Sequence, residues 1–486
     1  VAALGATRLE GGNKVINKQE ISELARELSL DMHVVEKDYV LGWLLAGIAA
    51  SPDLSESWVF KGGTCLKKCY FETYRFSEDL DFTVTVEAQL DENYLLKAFR
   101  QMVKWIYEQS GIEIPGEQIR FKLSVFDEGR YAEGRVYYAG PLLQKRNLAR
   151  IKFDLTSKEK VVLPPQKRAV HHPYSDCPDN GIYALSYCFE EVFAEKMRAL
   201  AERERPRDLY DVVHLYRHDE IQPDRDVVLK TLREKCAFKI IPVPTIESLQ
   251  REDARIKLAT EWKDMLAHQL PVLPELDQFW NEIPNVFRWL YGEAEKPSLK
   301  SAPITGSLDN AWQPPAMVHP WRVDVPLESV RFAAANHLCV NLRYRESWRL
   351  IEPYLLRRSL DGNLLLSAVK QETGEPRTYR VDRIQAVEVS TIPFTPRYQI
   401  ELTPARPLAA PSVQRLTPAR QSPNTRPKAS AGRTMKALAG PTYVYRCPGC
   451  GKQFRRKRHD AILSSHKNKN GHQCFGGHGL LVKTEY

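Results

Sequence analysis

The sequence predicts an α+β protein: a small mixed sheet joined to a helical half, then a β-rich region, then a small cysteine-bearing module. Three observations predict it. Up to about residue 295, apolar residues at helical spacing are interrupted by short alternating runs. From about 319 to 402 short strand-like runs dominate, and after 442 cysteines return at regular spacing. With domains of roughly 150 residues, 486 residues allow about three of them and a large buried core without disulfides.

In order, the spacing predicts helices over about 17–30 and 33–50, a strand at Trp58–Lys61, a Gly-Gly turn, and a helix to about Tyr70. A strand from Asp79 to Val86 follows, then a helix over about 91–110 and strands near 120–126, 134–139 and 150–155. Phe189 to Tyr291 reads as helical. Residues 296–320 hold Pro297, Pro303, Pro314, Pro315 and Pro320 and read as loop. Residues 403–441, rich in Pro, Ala, Ser and Arg, bury too little apolar surface to order and are expected to form a disordered basic linker. The last segment, 442–486, is a small basic module.

Composition narrows the function classes. The longest apolar run, Tyr39–Ala50, is 12 residues, short of the roughly 20 that a membrane span requires. Nine cysteines, an odd number, of which the five in the first half (Cys65, Cys69, Cys177, Cys188 and Cys236) show no framework spacing, and no basic-then-apolar start, point to a reducing cytoplasm and no membrane. The net charge of +9 is uneven: residues 403–486 carry +14 and residues 1–402 carry −5. A basic tail of that density is a footprint for phosphate backbones.

Leu80, Phe82, Val84 and Val86 alternate with Asp79, Asp81, Thr83 and Thr85, so both aspartates share one face of a strand. Paired carboxylates suit a hard cation, Mg²⁺ or Mn²⁺, that also takes substrate phosphates. Upstream, Gly62 and Gly63 let the backbone approach a phosphate, with the Thr64 hydroxyl expected to face it. Asp154, in the alternating run Ile151–Thr156, is placed to complete the metal site. Phe189, Val192, Phe193, Lys196, Met197 and Leu200 form one helical stripe, so Lys196 must snorkel or find an anion, which a bound triphosphate would supply. Asp208 and Asp211 follow on the next helix, expected to be half-buried at best.

Four blocks in this order carry a resemblance. Gly62-Gly63-Thr64 with Leu66, Lys68 and Tyr70 comes first, then Arg75-Phe76-Ser77-Glu78-Asp79-Leu80-Asp81-Phe82. Glu195-Lys196 with Ala199, and Arg207-Asp208-Leu209-Tyr210-Asp211, complete it. Together they resemble the AbiEii/AbiGii toxin family of nucleotidyltransferases over about the first 290 residues. The resemblance implies a polymerase-β-type fold, NTP as substrate, a type IV toxin–antitoxin setting with a cognate antitoxin, and a role in phage defence. It also implies an RNA acceptor, the tRNA 3′ end foremost, as in mycobacterial members. Asp79 and Asp81 take the place of the motif aspartates, Lys196 of the essential lysine and Asp211 of the later essential aspartate. Ser77 matches a position that is phosphorylated in some relatives as an off switch. The Gly-Gly pair replaces the Gly-Ser of the wider superfamily, which leaves Thr64 to supply the missing hydroxyl.

Residues 319–402 resemble a WYL-type domain through Val340, Leu342 and Tyr344, Arg349, Ile351 and Pro353, and the run Arg377 to Ile384. The name-giving triplet is replaced by Leu364-Leu365-Leu366, which removes polar and stacking partners. Arg377, Arg380 and Arg383 are candidates to hold phosphates. In the end module Cys447, Cys450, His466 and Cys474 are spaced as a structural zinc site, with His459, His472 and His478 as alternatives to His466. Between the ligands lie Arg455, Arg456, Lys457 and Arg458, a basic run suited to nucleic acid. The expected function is metal-dependent NMP transfer from NTP to RNA. The alternatives are a nucleic-acid-binding regulator that senses nucleotide through the transferase fold, and a protein-modifying nucleotidyltransferase.

Overall fold

The computed structural model describes residues 15–126, 129–143, 147–218, 221–312, 327–402, 442–447, 450–456, 461, 463–464, 466–467, 473–474 and 480–485. The chain divides into two compact units, Val1–Gln414 and Arg415–Tyr486. The expected linker over 403–441 lies outside the described residues, as do Lys457, Arg458, His459, His472 and His478.

In the first unit, helices Lys18–Leu28 (α1), Met32–Ala50 (α2) and Pro52–Ser55 (α3) lead into strand Trp58–Lys61 (β1). Asn17 and Asp31 cap α1 and α2 with their side-chain oxygens, satisfying otherwise unpaired N–H groups. The apolar run from Tyr39 to Ala50 is the buried helix the sequence predicts, and among the described residues no helix is long and apolar enough to cross a membrane. Gly62–Cys65 (α4) runs on as a π-helical turn at Leu66–Tyr70. Strand Asp79–Val84 (β2), helix Glu92–Ser110 (α5) and strands Arg120–Phe126 (β3), Gly129–Tyr138 (β4) and Ala149–Thr156 (β5) follow. Two further strands, Gln166–Ala169 (β6) and Tyr183–Ser186 (β7), complete a seven-stranded sheet in the order β3-β4-β5-β2-β1-β7-β6.

β2 lies in the middle, antiparallel to β1 and parallel to β5, with Asp81 opposite Asp154. Leu80, Phe82 and Val84 pack with Ile151, Phe153 and Leu155 in the main core, and Phe99 of α5 sets its ring edge against Phe153 and Phe121. The apolar alternation therefore fixes which way the aspartates face. Helices Phe189–Arg203 (α6), Pro206–Arg217 (α7), Arg225–Phe238 (α8), Ile246–Leu249 (α9), Glu252–Leu266 (α10), Leu276–Trp280 (α11) and Ile283–Leu290 (α12) form the helical half. Residues beyond 296 are not simply loop: Ser301 bridges to Gln399, and Leu308 to Ser359.

Helix Leu327–Ala335 (α13) opens the β-rich region, whose strands are Leu338–Tyr344 (β8), Ser347–Arg358 (β9), Leu364–Lys370 (β10), Pro376–Arg380 (β11) and Ile384–Pro393 (β12). They form one antiparallel sheet, β11-β10-β9-β8-β12. This region does not stand apart. The main core runs from the transferase helices into α13 and β8, and Arg331 of α13 reaches back to Glu72 at 3.3 Å while donating to the Leu402 carbonyl. The second unit holds a sheet of Gln453–Arg456 (β14), Thr442–Arg446 (β13) and Leu480–Glu485 (β17), with His466–Lys467 (β15) paired to Gln473–Cys474 (β16).

Candidate active site and metal centres

A cavity of about 260 Å³ opens between the polar face of β2 and helices α6 and α7. Its wall includes Gly62, Gly63, Ser77, Asp79, Asp81, Asp154 and Lys196, so seven of the residues singled out in the sequence meet at one place. The two glycines have separate steric reasons to be there. Gly62 sits at φ +80°, and a Cβ on it would lie 2.1 Å from the Asp81 carboxylate. On Gly63 a Cβ would lie 2.5 Å from the Arg75 guanidinium and 3.1 Å from the Ser77 hydroxyl. Thr64 departs from expectation, because its hydroxyl donates to the Asp79 main-chain carbonyl at 2.5 Å and is therefore not free for a phosphate.

The carboxylates differ in what holds them. Those of Asp79 and Asp81 make no hydrogen bond or ion pair with any described residue, although both side chains are half-buried. Burial pushes the Asp81 carboxyl up to about 6; Lys61 pulls it back, while Asp154 and Asp79 add to the rise. Asp79 is raised as well, chiefly by burial. Asp154 is already engaged, accepting from the Tyr131 hydroxyl and from Lys152 at 2.9 Å. Unpartnered anions crowded in a cleft are the donor set a hard cation stabilises, so Asp79 and Asp81 fit Mg²⁺ or Mn²⁺ as they stand. Asp154 joins them only if Lys152 lets go.

The Lys196 ammonium does not wait for a triphosphate to balance it. It lies 2.7 Å from Asp211 and 3.3 Å from Asp208. Both aspartates are fully buried, which corrects the half-buried expectation. Asp211 also takes two 2.7 Å bonds from Arg75 and one from the Tyr74 hydroxyl. Asp208 takes Arg203 through bonds of 2.6 and 2.9 Å. Burial opposes ionisation of Asp211, yet Arg75 and Lys196 hold its carboxyl well below the usual carboxylate range. Arg75, Lys196 and Arg203 thus share the two carboxylates of Asp208 and Asp211. Asp211 does not line the cavity; it positions Lys196 and Arg75, which do.

Sequence reasoning passed over several lining residues. Lys61 pairs with Glu159, and Arg198 with Glu195 and Glu202. Arg207 stands out because its only side-chain hydrogen bond among the described residues is a 3.4 Å contact to the Met265 carbonyl, with no carboxylate partner. Its guanidinium is pushed below the usual arginine range, first by burial and then by Arg75. Arg207 is visible within the fourth block, but nothing in its spacing marks it.

The WYL-region arginines are less available. Arg377 pairs with Glu375 at 2.6 Å, and Arg380 with Asp382 at 2.6 Å and with Asn363. Arg383 is exposed. In the second unit Arg455 is exposed and Arg456 half-exposed. The donor atoms of Cys447, Cys450, His466 and Cys474 lie within 4.8 Å of one another, the one such ligand set among the described residues. Cys447 and Cys474 sulfurs are 3.7 Å apart, close to the edge of about 3.8 Å that a tetrahedral zinc with sulfur at ~2.3 Å requires. His466 Nδ1 faces the Ser464 carbonyl at 2.9 Å, which leaves Nε2, 3.2 Å from the Cys450 sulfur, for a metal.

No curated protein matches the sequence. Among solved structures, the nucleotidyltransferase toxin MenT4 of Mycobacterium tuberculosis H37Rv matches at 18% identity with a TM-score of 0.39, over 57% of this chain and 90% of that one. Residues 326–389 match the WYL domain. Residues 43–290, half the chain, match the family described as nucleotidyl transferase AbiEii toxin, type IV TA system, and this chain belongs to that family.

Proposed function

We propose that the protein transfers a nucleoside monophosphate from an NTP to an RNA, with the 3′ end of tRNA as the acceptor of first choice. The observation that carries this reading is the pair of unpartnered carboxylates, Asp79 and Asp81, in a cleft whose wall also holds the cations Lys196 and Arg207. A divalent cation on these two residues would neutralise phosphate oxygens and acidify the acceptor hydroxyl. Lys196, held in place by Asp208 and Asp211, faces the triphosphate together with Arg207. The bare backbone at Gly62 and Gly63 leaves room for a phosphate beside Asp81. The acceptor 3′-oxygen attacks the α-phosphorus in line, its bond to phosphorus forms as the bond to pyrophosphate breaks, and the hydroxyl proton leaves to water.

The basic segment after 403 and the zinc module would bind the acceptor, since residues 403–486 carry a net +14 while residues 1–402 carry −5. A cytoplasmic location and a cognate antitoxin complete the reading. The test is labelling of total tRNA with each of the four α-labelled NTPs in Mg²⁺ or Mn²⁺. Transfer that vanishes in Asp79→Ala is expected, and labelling no higher than in that variant overturns it. The WYL match and the zinc ligand set favour a second reading, a nucleic-acid-binding regulator. It predicts a salt-sensitive gel shift with no label transfer; label appearing on protein instead of RNA would identify a protein-modifying enzyme.

A further inference from the structure

The polar face of β2 that carries Asp79 and Asp81 does not end at the cleft. It continues across β5, β4 and β3, because residues opposite one another in paired strands share a face. One row runs through Asp79, Lys152, Arg135 and Arg120, and the next through Asp81, Asp154, Glu133 and Lys122. The reverse of these strands is packed: Phe121, Ala132, Val136, Ile151 and Phe153 are buried, with Phe99 of α5 against two of the rings. The polar face is open, and Arg120, Lys122, Arg135 and Arg150 on it are all exposed. We propose that this face receives the 3′-terminal nucleotides of a single-stranded RNA acceptor, an assignment that rests on RNA being the acceptor.

Charge carries the argument. Outward from β2 the face holds five cations, Arg120, Lys122, Arg135, Arg150 and Lys152, against the carboxylates of Glu133 and Asp154. Lys152 meets Asp154 at 2.9 Å and Glu133 at 3.7 Å, and Arg135 meets Glu133 at 2.8 Å. The other three have no carboxylate partner among the described residues. Arg120 donates only to the main-chain carbonyls of Glu117 and Ile119, and Lys122 and Arg150 make no hydrogen bond or ion pair there. Like charges directly opposite one another destabilise a sheet, yet here Arg120 faces Arg135 and Arg135 faces Lys152. Phosphates laid along that row supply the counter-charge that the sheet itself does not. With Asp79 and Asp81 added, the five cations on these four strands still face only four carboxylates, and a divalent ion on the two aspartates widens the difference.

The rings on this face favour a single strand over a duplex. Tyr131 and Tyr137 share the polar side of β4 and bracket Glu133 and Arg135; both are half-buried. Tyr131 is pinned by its donation to Asp154, and Tyr137 stands opposite Arg150. Unpaired bases stack on aromatic side chains set on an open sheet while cations follow the backbone, whereas a duplex keeps its bases out of reach. Neighbouring strands lie about 4.8 Å apart, so Arg120, three strands from Asp79, is roughly 14 Å away, within the span of a few nucleotides. Lys196 and Arg207 wall the cleft from α6 and α7, so the NTP and the acceptor come to Asp79 and Asp81 from different sides. The basic segment after 403 then holds the body of the RNA, and the sheet face holds its reactive end.

The experiment uses the full chain in Mg²⁺ without NTP, so that no transfer occurs. The probe is a 5′-fluorescein single-stranded RNA of about 12 nucleotides with 4-thiouridine third from its 3′ end. Fluorescence anisotropy gives the affinity and its salt dependence, and irradiation followed by mass spectrometry gives the crosslinked peptide. Crosslinks within β3, β4 and β5 are expected. In the triple variant Arg120→Glu, Lys122→Glu, Arg150→Glu the Kd should rise tenfold or more. Its log Kd should also depend less steeply on log salt, by about 2 for three lost contacts at about 0.7 each. Should the variant fail to fold, as judged by its circular dichroism melt, the crosslinks of the wild type decide alone. No binding by the wild type, crosslinks confined to other segments, or unchanged affinity and slope in a folded variant each overturn the proposal. So does a folded variant that keeps its RNA affinity but loses binding to polyglutamate, which would assign the face to an acidic protein. Failure of the transferase reading shows instead as absent label transfer from NTP, which none of these measurements uses.

Discussion

Among single residues, the two functions of carboxylate in this protein separate cleanly by what each one touches. Asp79 and Asp81 are left open to the cleft, whereas Asp211 is consumed by Arg75, Lys196 and Tyr74. Asp81→Asn should therefore abolish transfer by a factor of roughly 100 or more while leaving the melting temperature unchanged or higher, because it removes an uncompensated charge. Asp211→Ala should instead destabilise by about 3–5 kcal/mol, since two buried cations lose their anion, and urea denaturation distinguishes the two outcomes. A pH effect follows from Asp81. With its carboxyl pushed up to about 6, first by burial, the residue is protonated below that pH and a metal must displace the proton. Mn²⁺ affinity measured by electron paramagnetic resonance should be flat above about pH 7 and weaken progressively as the pH falls below about 6. The alternation of Leu80, Phe82 and Val84 makes these two aspartates legible from the order of residues alone. The partners of Lys196 are not legible in that way, because Asp208 and Asp211 lie on a different helix and only the packing of α6 on α7 brings them within reach.

Among elements, the long helices and the central strands can be read because their apolar faces repeat. β6 and β7 escape because four residues such as Gln166-Lys167-Arg168-Ala169 show no alternation, and their strand character comes from pairing with each other. The strands around the Cys/His ligand set are legible only through their cysteines. Two of them are two residues long, and β15–β16 pairs His466 directly with Cys474, so the ligands fix the ribbon as much as the ribbon fixes the ligands. Metal analysis should find one zinc per chain, and Cys450→Ser should lose it. Chelation should melt the β13–β17 amide signals in NMR spectra and leave those of the seven-stranded sheet in place.

For the whole molecule, the sequence predicts a separate transferase and WYL region, while the structure joins them through a continuous core. The joint is charged as well as apolar. Glu72, on the segment leading into β2, meets Arg331, and Arg331 also pairs with Glu328 of α13. Burial pushes the Glu72 carboxyl up to about 7, with Arg331 pulling it back and Glu328 adding to the rise. A carboxyl whose folded pKa is raised binds a proton more readily folded than unfolded. Its contribution is present at low pH and is lost as pH rises through about 4.5 to 7. Glu72→Gln should remove that slope and raise the unfolding free energy measured in urea at about pH 8, by an amount on the order of 1–3 kcal/mol.

The shared core has a genetic consequence as well. Tyr210 donates to Asn336, and Gln278 to the Asn336 carbonyl, so helices of the transferase depend on residues encoded after the last catalytic block. A stop codon near residue 300 would spare each aspartate of the active site and still strip α7 and α11 of these partners. Among cells that survive forced expression of the gene, nonsense and frameshift alleles should therefore extend well past codon 300 rather than ending with the transferase motifs.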